Sequence, residues 1–363
     1  MLRAVKRDAN LERRQPSMSR IRRSKRASMS MQWIVPAACI RVSSLFLLLS
    51  SLSGGATYAQ SPSPLPTGNN GIAAKYPNDS NIKSDPNVIF ADDFESYTSE
   101  AQLWGKWDNI YQQQDVQIAT DPANVFSGQR SLEMRVPAQS TEVANAVVKK
   151  LNPTRDTVFV RVYTKFVAGY NVSGSEHDGI AITSQYCCPG VPANGTNKFY
   201  VDVENSRDAG SVNSPGYTNS YVYYPEQRDL YGDHWFPDGT VVPFSNTPGN
   251  FGPYFVPRPN FIPDLNRWYC YELMVKANTP GLRDGRVAIW IDGTLIADFQ
   301  NVRLRDVDTL KIDTVELDLY IKANTVPTDS VKWYDNVVIA TSYIGPLSST
   351  TVAPPTNLSA VVN

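Results

Sequence analysis

Residues 267–299 read RWYCYELMVKANTPGLRDGRVAIWIDGTLIADF, and this stretch contains three runs in which apolar residues alternate with others. The second and third runs flank Asp292-Gly293. An Asp-Gly pair between two such runs is the strongest short-range signal of a β-hairpin, because both turn positions need a positive φ. The first run, Trp268 to Lys276, alternates with period two and ends in a polar loop. The stretch therefore predicts a three-stranded antiparallel meander that forms the spine of a larger sheet.

Short strand-like runs recur on both sides of this meander, whereas no stretch of a dozen residues keeps the apolar stripe of a helix. The runs cover residues 87–92, 129–136, 157–167, 179–184, 198–204, 315–323 and 332–340. Many short strands separated by Pro, Gly and Asn are typical of an all-β antiparallel sandwich or jelly roll. Residues 205–264 break this pattern, and we expect this long Tyr-, Pro- and Gly-rich loop segment to lie over one face of the sheet.

The N-terminal part of the chain reads as a targeting segment followed by a linker. Residues 1–59 combine many basic residues, the apolar run Leu45–Leu49 and small residues just before Gln60, which is the pattern of a signal peptide with an extended basic leader. The apolar run is too short to span a membrane. Residues 60–87 have the composition of a disordered linker. We therefore expect a protein that is secreted to the extracellular space or the periplasm, without membrane insertion after signal cleavage.

The patterned region, residues 88–347, has the length of one large all-β domain. Residues 348–363 read as a second linker, and within them Ala353–Ala360 resembles the opening strand of a fibronectin type III domain that is then truncated.

The charge outside the leader is acidic. The leader holds 11 of the 34 Lys and Arg and 2 of the 35 Asp and Glu, which leaves 23 against 33 and a net charge of −10. An acidic chain is poorly suited to bind nucleic acid or an anionic membrane surface.

Three cysteines lie outside the leader, namely Cys187, Cys188 and Cys270. One disulfide is expected in an oxidising compartment, between Cys270 and one of the adjacent pair, with Cys188 preferred and Cys187 left open. A zinc site is not expected, because the cysteines lack metal-type spacing and the region holds only His177 and His234.

Strand alternation also sorts side chains by face, because residues i and i+2 point the same way. Setting the apolar side of each run apart leaves a polar and aromatic set, which comprises Arg161, Tyr163, Lys165, Tyr200, Asp202, Glu204, Trp268, Glu272, Lys276, Trp290, Glu316, Asp318, Tyr320 and Lys322. Such a set could be an ordinary solvated face of an antiparallel sheet. Aromatic rings that stack on sugars, with charged hydrogen-bonding groups between them, favour instead a substrate-binding face for an extracellular polysaccharide.

Six motifs carry a family resemblance. They are Phe90–Glu95 (FADDFE), Ser127–Leu132 (SGQRSL), His177–Gly179 (HDG), Trp268–Glu272 (WYCYE), Val287–Gly293 (VAIWIDG) and Trp333–Val337 (WYDNV). In this order they resemble the concanavalin A-like jelly-roll superfamily, in particular secreted polysaccharide lyases of the alginate and glucuronan lyase type and related carbohydrate-binding modules. The resemblance covers most of residues 88–347 and implies the fold, whereas fold alone does not fix chemistry.

The resemblance implies a structural calcium ion that joins the first strand to the last. Asp93, Glu95 and Asp335 are the carboxylates at the matching positions, and oxygens near Ser127 would complete the shell. Ca²⁺ takes about six to eight hard oxygen ligands, which this composition could supply.

The resemblance also implies β-elimination from a uronic acid. This reaction needs a base for the C5 proton, an acid for the leaving oxygen and groups that neutralise the carboxylate. Tyr163, His177, Arg161 and Tyr320 are the predicted catalytic residues, and clustered Arg and Lys would depress the pKa of a Tyr base. The hypothesis requires these four side chains to converge in one groove.

Two alternatives remain open. Glu316 and Asp318 place two carboxylates on one strand face, as glycoside hydrolases of this fold do. The protein could also bind a polysaccharide without cleaving it. No nucleophile elbow, phosphate loop or dinucleotide fingerprint occurs in the sequence.

Overall fold

A computed structural model describes residues 62–138, 142–175, 177–207, 211–243, 248–322 and 328–348. The described residues form two antiparallel sheets packed as a β-sandwich, and the predicted all-β jelly-roll class is confirmed. The strands are β1 Val88–Asp92, β2 Asn109–Tyr111, β3 Val116–Ala119, β4 Ser131–Val136, β5 Val143–Arg155, β6 Thr157–Phe166, β7 Gly174–Ser175, β8 Ile180–Ser184, β9 Phe199–Arg207, β10 Tyr217–Tyr223, β11 Asp233–Trp235, β12 Val241–Val242, β13 Tyr269–Lys276, β14 Gly285–Ile291, β15 Thr294–Val302, β16 Ile312–Ile321 and β17 Ser330–Ala340.

Helical structure in the described ranges is limited to short 3-10 helices. They span Ile72–Lys75, Pro77–Asp79, Ile82–Ser84, Glu100–Gly105, Gln113–Asp115 and Pro122–Asn124. None of the helices in these ranges has the length and apolar character needed to cross a lipid bilayer.

The two sheets divide the strands in a way that strand order along the chain does not reveal. Sheet A has the order β15-β14-β13-β6-β17-β4-β3, and β1 also pairs with β17. Sheet B has the order β12-β11-β10-β9-β8-β16-β5-β2, and β7 pairs with β9. Strands that carry the predicted site residues are therefore split, with β6, β13 and β14 in sheet A and β9 and β16 in sheet B.

The predicted three-stranded meander is confirmed, but it lies at one edge of sheet A and is not the spine that was expected, since β6 and β17 occupy the centre of the sheet. β13 pairs with β14, and β14 pairs with β15. The turn residues Asp292 and Gly293 have φ values of 49° and 75°, as the Asp-Gly signal requires. Asp292 also holds the neighbouring strand, since its Oδ1 accepts a hydrogen bond from the Cys270 backbone N–H at 2.8 Å.

The core lies between the sheets and contains the apolar residues of the alternating runs. Val160 and Val162 of β6 face it from sheet A, and Val201 and Val203 of β9 face it from sheet B, all buried. Burial of this kind is worth about 1.5–3 kcal/mol for each large apolar side chain. The predicted inward sides of these strands are confirmed.

The segment 205–264 differs from the predicted long loop. It contains β10, β11 and β12, which extend sheet B at one edge. The period-two pattern of β10 is hidden in the sequence because its alternate residues are small or polar: Thr218, Ser220 and Val222 are buried between Asn219, Tyr221 and Tyr223. Part of the aromatic-rich segment that was predicted to be a loop over the sheet is therefore a set of strands within sheet B.

The prediction of a disordered linker at residues 60–87 is wrong for its described part, residues 62–87, which packs against sheet A. Ile72, Ala73 and Ile82 are buried against the outer face of sheet A. The backbone N–H groups of Ile72 and Ala73 donate to the carbonyls of Tyr343 and Ile344 at 3.1 and 2.9 Å. The polar composition hid these contacts because backbone groups supply much of the attachment. The predicted signal peptide at 1–59 and the tail at 349–363 lie outside the described residues.

Candidate functional site

The predicted polar and aromatic set does not lie on one face. Alternation places its members outward on their own strands, but sheet A and sheet B present their outer faces to opposite sides of the sandwich. Arg161 and Tyr163 lie on β6 of sheet A, whereas Tyr320 lies on β16 of sheet B and His177 is bridged to Tyr320. The expectation that these four residues converge in one groove is therefore wrong, and the lyase hypothesis in that four-residue form fails.

On sheet A, the β6 residues are structural. Arg161 is fully buried under the N-terminal segment and its Nη2 forms an ion pair with Asp79. The Tyr163 hydroxyl accepts a hydrogen bond from the Leu347 N–H at 2.8 Å, and burial raises its pKa, against the depressed value that a Tyr base needs. Lys165 is buried between Trp268 and Trp333 and donates to the carbonyl of Ala123.

The β13 and β14 residues predicted to bind substrate lie on the same covered face. Glu272 accepts hydrogen bonds from the N–H groups of Ile344 and Gly345, each at 2.8 Å, and burial raises its pKa to about 7. Trp290 is fully buried, and its indole N–H donates to the Pro66 carbonyl at 2.9 Å.

Two further predicted substrate residues lie at the margin of this face. Trp268 is half-buried beside Phe126, and Lys276 pairs with Asp284 at 3.7 Å.

The predicted disulfide is absent among the described cysteines. Cys270 is buried on β13 of sheet A, whereas Cys187 and Cys188 are exposed in the loop between β8 and β9 of sheet B, and all three are free thiols. A disulfide needs Cα atoms about 4.4–6.8 Å apart, which residues of opposite sheets do not offer. Composition alone could not assign the cysteines to sheets.

The predicted calcium residues are only partly brought together. Asp93, Glu95 and Ser127 line one cavity of about 340 Å³, together with Asn336, Val337 and Val338 of β17. However, Glu95 Oε1 faces the N–H groups of Gln129 and Arg130, each at 2.8 Å.

Asp335 Oδ2 likewise faces two N–H groups, from Phe126 and Ser127, at 3.0 and 3.1 Å. One oxygen of each carboxylate is thus already paired with backbone N–H groups, and structural calcium at these residues stays a prediction.

The outer face of sheet B contains a different and denser cluster, which we call the histidine–carboxylate cluster: His177, Asp202, Glu204 and His234. Glu204 Oε2 lies 2.7 Å from His177 Nδ1, and Glu204 Oε1 lies 3.0 Å from His234 Nδ1. Asp202 Oδ2 lies 3.4 Å from His177 Nδ1. Both carboxylates are fully buried, while the His177 and His234 side chains keep 25% and 14% of their surface exposed. A single carboxylate thus lies between two partly exposed imidazoles.

The hydrogen bonds around His234 fix its tautomer. The Asn219 side-chain N–H₂ donates to backbone carbonyls of Glu204 and Tyr217, each at 3.3 Å, so its Oδ1 is the atom that faces His234 Nδ1 at 3.0 Å. His234 Nδ1 lies between two acceptors and must carry a proton. The neutral ring therefore has its lone pair on Nε2, for which the described residues provide no hydrogen-bond partner.

His177 is held as a cation. Burial lowers its pKa, but the neighbouring Glu204 and Asp202 carboxylates outweigh this and raise the pKa of His177 well above its ordinary value. The same pairing holds the pKa of Glu204 below its ordinary value although burial opposes this, whereas burial raises the pKa of Asp202 to about 7. The cluster therefore has one firmly ionised carboxylate between the two rings.

An aromatic row crosses the strands beside the cluster. The ring of His177 stacks on Tyr320 at 5.2 Å and lies 4.9 Å from Tyr221, which in turn lies 4.8 Å from His234. Tyr320 donates to Glu142 at 3.2 Å, and burial raises the pKa of Tyr320 to about 12, so its phenol holds a proton at neutral pH. His177, His234 and Tyr320 are partly exposed, whereas Tyr221 is buried between them, and exposed rings beside charged groups form a surface on which sugar rings can stack.

The other end of this face is built around Lys198. Its Nζ lies 4.8 Å from the Tyr186 ring centroid and 4.5 Å from that of Tyr223. Lys198 is itself buried and donates to the carbonyls of Cys187 and Cys188 at 2.7 and 2.9 Å. The loop between β8 and β9 therefore positions this cation.

The remaining predicted residues of this face lie on β9 and β16. The Tyr200 hydroxyl donates to Asp202 at 3.0 Å. Burial raises the pKa of both Glu316 and Asp318 to about 7; repulsion from Asp318 adds to the shift of Glu316, and repulsion from Asp202 adds to that of Asp318. Asp318 accepts a hydrogen bond from the Gly179 N–H at 3.0 Å, and Lys322 is exposed just beyond β16.

Several of these residues could contact a cation. Atoms of His177, Asp202 and Glu204 lie within 4.8 Å of one another, and no other such group of three occurs among the described residues. The hydrogen bond between Glu204 Oε2 and His177 Nδ1 at 2.7 Å already explains why these three residues lie close together. A proton between these two atoms takes the place that a metal ion would need.

On this face, the sequence predicted site or polar residues at His177, Tyr200, Asp202, Glu204, Glu316, Asp318, Tyr320 and Lys322, and it did not indicate His234, Asn219, Tyr221 and Lys198. The signal for the missed residues was available in part. Asn219, Tyr221 and Tyr223 alternate, and would have been assigned to a strand if the intervening Thr218 and Ser220 had been read as buried.

Comparison with known proteins places this geometry on a known fold. No family model matches the chain, and no curated protein sequence does so either. Among solved structures, a double mutant of the alginate lyase Aly36B in complex with an alginate trisaccharide is 17% identical over 71% of this chain and 99% of that chain, with a TM-score of 0.52. Unmodified Aly36B is 15% identical over 71% of this chain and 98% of that chain, with a TM-score of 0.51.

A marine PL-14 alginate lyase from Aplysia kurodai is also similar, at 13% identity over 70% of this chain and 99% of that chain, with a TM-score of 0.49. At these identities the similarity shows the fold alone. The resemblance to jelly-roll polysaccharide lyases that the motifs predicted is thereby confirmed at the level of architecture, and the chain has the jelly-roll fold on which alginate lyases are built.

Proposed function

We propose that the protein is an exported lyase that cleaves a uronate-containing polysaccharide by β-elimination on the outer face of sheet B. The observation that carries the proposal is Glu204, which contacts Nδ1 of both His177 and His234 and so orients two imidazoles with different tasks. An ionised carboxylate that orients imidazoles is a recurring device of acid–base catalysis.

The chemistry assigns one role to each group. The His177 cation, held by Glu204 and Asp202, neutralises the substrate carboxylate and so acidifies the C5 proton. His234 accepts this proton on Nε2, because Nδ1 is committed to Glu204 and Asn219. Tyr320, whose phenol stays protonated, donates to the leaving oxygen at C4. The C5–H and C4–O bonds break, a C4–C5 double bond forms, and no water is consumed.

The fold similarity to alginate lyases and the aromatic row beside the cluster support this proposal, since a polymer needs stacking surfaces on either side of the reacting sugar. The partner is an acidic extracellular polysaccharide. The cations His177 and Lys198 on this face offset the overall acidity of the chain at the point where a uronate would bind.

The test is a panel of polymannuronate, polyguluronate, glucuronan and polygalacturonate, with ultraviolet absorbance of the new double bond as the readout. One member of the panel is expected to yield unsaturated product. His234→Gln and His177→Gln are each expected to lower kcat by about 10²–10⁴-fold, the usual contribution of a positioned acid or base. Circular dichroism and thermal unfolding establish that the variants fold.

A glycoside hydrolase is the second candidate, because Glu316 and Asp318 lie on one strand face with pKa values raised to about 7. A carboxyl group that holds its proton near neutrality suits the acid of a hydrolase, whose two carboxyls stand about 5 Å apart in retaining enzymes. Asp318 is engaged by the Gly179 N–H, which weakens this assignment. New reducing ends without ultraviolet absorbance, lost in Glu316→Gln, would identify the hydrolase. Binding to a polysaccharide without either product would identify a carbohydrate-binding protein.

A further inference from the structure

Two adjacent thiols lie at the edge of the proposed site, and the function proposed above does not use them. Cys187 and Cys188 are exposed in the loop between β8 and β9. The third described cysteine, Cys270, is buried on sheet A, and burial raises its pKa to about 12. Within the described residues, each of the two exposed thiols therefore has only the other as an intramolecular partner.

The backbone carbonyls of this pair hold Lys198 in place on the outer face of sheet B. The carbonyl oxygens of Cys187 and Cys188 both accept hydrogen bonds from Lys198 Nζ, at 2.7 and 2.9 Å. Lys198 is buried and its ammonium lies over the rings of Tyr186 and Tyr223. Any change in the direction of these two carbonyls must therefore change the environment of Lys198.

The local backbone is already constrained. Cys188 has a φ of 62°, in the left-handed region that a residue with a side chain rarely adopts, and its carbonyl closes a turn with the Val191 N–H at 3.2 Å. Both sulfurs belong to adjacent, exposed residues on this strained turn.

We propose that Cys187 and Cys188 are a site of oxidative modification, at which the two thiols close to a vicinal disulfide and thereby reset the backbone that holds Lys198 on the outer face of sheet B. The oxidant is a low-molecular-weight disulfide. The Sγ–Sγ bond forms while the sulfur–sulfur bond of the oxidant breaks, and the two thiol hydrogens leave with the two reduced thiols that result.

The geometry gives the reason for the coupling. Cα atoms across a trans peptide are about 3.8 Å apart, which is shorter than the 4.4–6.8 Å or so that disulfides usually span. A disulfide between adjacent residues closes a small ring that includes ψ of Cys187, the peptide bond and φ of Cys188, so closure constrains the backbone torsions on both sides of this peptide. That peptide includes the Cys187 carbonyl, which is one of the two oxygens on Lys198 Nζ. Closure therefore alters the support of Lys198.

The first experiment counts thiols in the purified full chain and needs no glycan, so its outcome is independent of the proposed lyase activity. The protein is incubated with glutathione disulfide, denatured, alkylated and digested. The peptide that contains both cysteines is expected to lose both alkylation sites and two hydrogen masses, and to recover them after treatment with a phosphine reductant. Alkylation of both thiols, or two mixed disulfides with glutathione, would overturn the proposal.

The second experiment tests the link to Lys198. Lysines of the folded protein are acetylated with an amine-reactive ester, and labelling at Lys198 is compared before and after oxidation. A difference of several-fold is expected for Lys198, whereas Lys165, buried on sheet A, should be labelled equally in both states. The Cys187→Ser/Cys188→Ser variant should show no response. Equal labelling of Lys198 in oxidised and reduced wild-type protein would refute the coupling even if the disulfide forms.

Discussion

At the scale of single residues, the site depends on one carboxylate serving two rings. Glu204 has no exposed surface and yet is ionised, because His177 and His234 contact its two oxygens. Taking one partner away from a buried pair leaves the other unsatisfied, which is more costly than the pair itself is stabilising. Glu204 therefore holds the charge of His177, helps to fix the tautomer of His234 and contributes to the stability of the fold.

We predict that Glu204→Gln returns the pKa of His177 toward its ordinary value of about 6.5 and removes a pH-dependent part of the stability. The raised pKa of His177 stabilises the fold at low pH, and this contribution disappears as pH rises through that pKa. The lowered pKa of Glu204 stabilises the fold above about pH 4.5, and this contribution disappears as pH falls through the lowered value. The difference in unfolding free energy between wild type and variant should therefore peak between about pH 4.5 and 6.5.

Histidine NMR titration and urea unfolding across this pH range measure both effects. Glu100→Gln, at a half-buried position in a 3-10 helix far along the chain, is the matched control and should leave both curves unchanged. A difference in unfolding free energy that stays flat with pH would contradict the pairing of Glu204 with the two rings.

At the scale of elements, the approach of the His177 loop to sheet B depends on Gly179. A Cβ atom at this position would overlap the carbonyl oxygen of Val203 on β9. The Gly179 N–H also donates to Asp318, which joins the loop to β16. Glycine is thus required here by close packing between backbones.

Gly179→Ala should lower the free energy of unfolding by about 1–3 kcal/mol or more, as overpacking does, and displace His177. Gly105→Ala is the control, since a Cβ there meets no atom within 4 Å, and it should change stability by less than about 0.5 kcal/mol. The urea midpoints of unfolding of the two variants measure this difference in stability. Equal midpoints would contradict the packing described for Gly179.

The N-terminal segment makes a second prediction at this scale. Arg161 is buried with Asp79 as its ion-pair partner, and removing one charge of a buried pair costs about 3–5 kcal/mol. Asp79→Asn should therefore destabilise the protein strongly while leaving kcat of the proposed lyase reaction near that of wild type in the folded variant. Lys75→Ala, which breaks a pair in which the lysine is mostly exposed, should shift stability by at most about 1 kcal/mol. Loss of kcat in folded Asp79→Asn would show that sheet A takes part in catalysis.

These elements also show where prediction from sequence succeeds. The Asp292-Gly293 hairpin is encoded by two adjacent residues whose backbone conformation has few alternatives, and it was predicted in full. The inward sides of β6, β9 and β16 were predicted because alternation is a local property. β10 was not predicted, because its inward positions include Thr218 and Ser220. These polar residues are buried between the two sheets, and nothing in their chemistry indicates burial.

At the scale of the whole molecule, the alternation of residues along a strand does not indicate to which of the two sheets that strand belongs. Arg161 and Tyr320 are each outward on their strands, and no local signal states that β6 and β16 belong to different sheets. The predicted site therefore combined two real surfaces into one. Sheet A presents a covered face that attaches residues 62–85 and 343–348, and sheet B presents a partly open face with the histidine–carboxylate cluster.

We assign attachment of the terminal segments to the outer face of sheet A and the proposed chemistry to the outer face of sheet B, and a comparison of two variants tests this assignment. The measurement is the initial rate of the proposed formation of unsaturated product from a uronate polymer, for His234→Gln on sheet B and Tyr163→Phe on sheet A. Tyr163→Phe removes only a hydroxyl that contacts the Leu347 N–H, and its rate should stay within about threefold of wild type, whereas His234→Gln should lose about 10²–10⁴-fold. A collapse of the rate in Tyr163→Phe together with an active His234→Gln would contradict this assignment and place the proposed chemistry on sheet A.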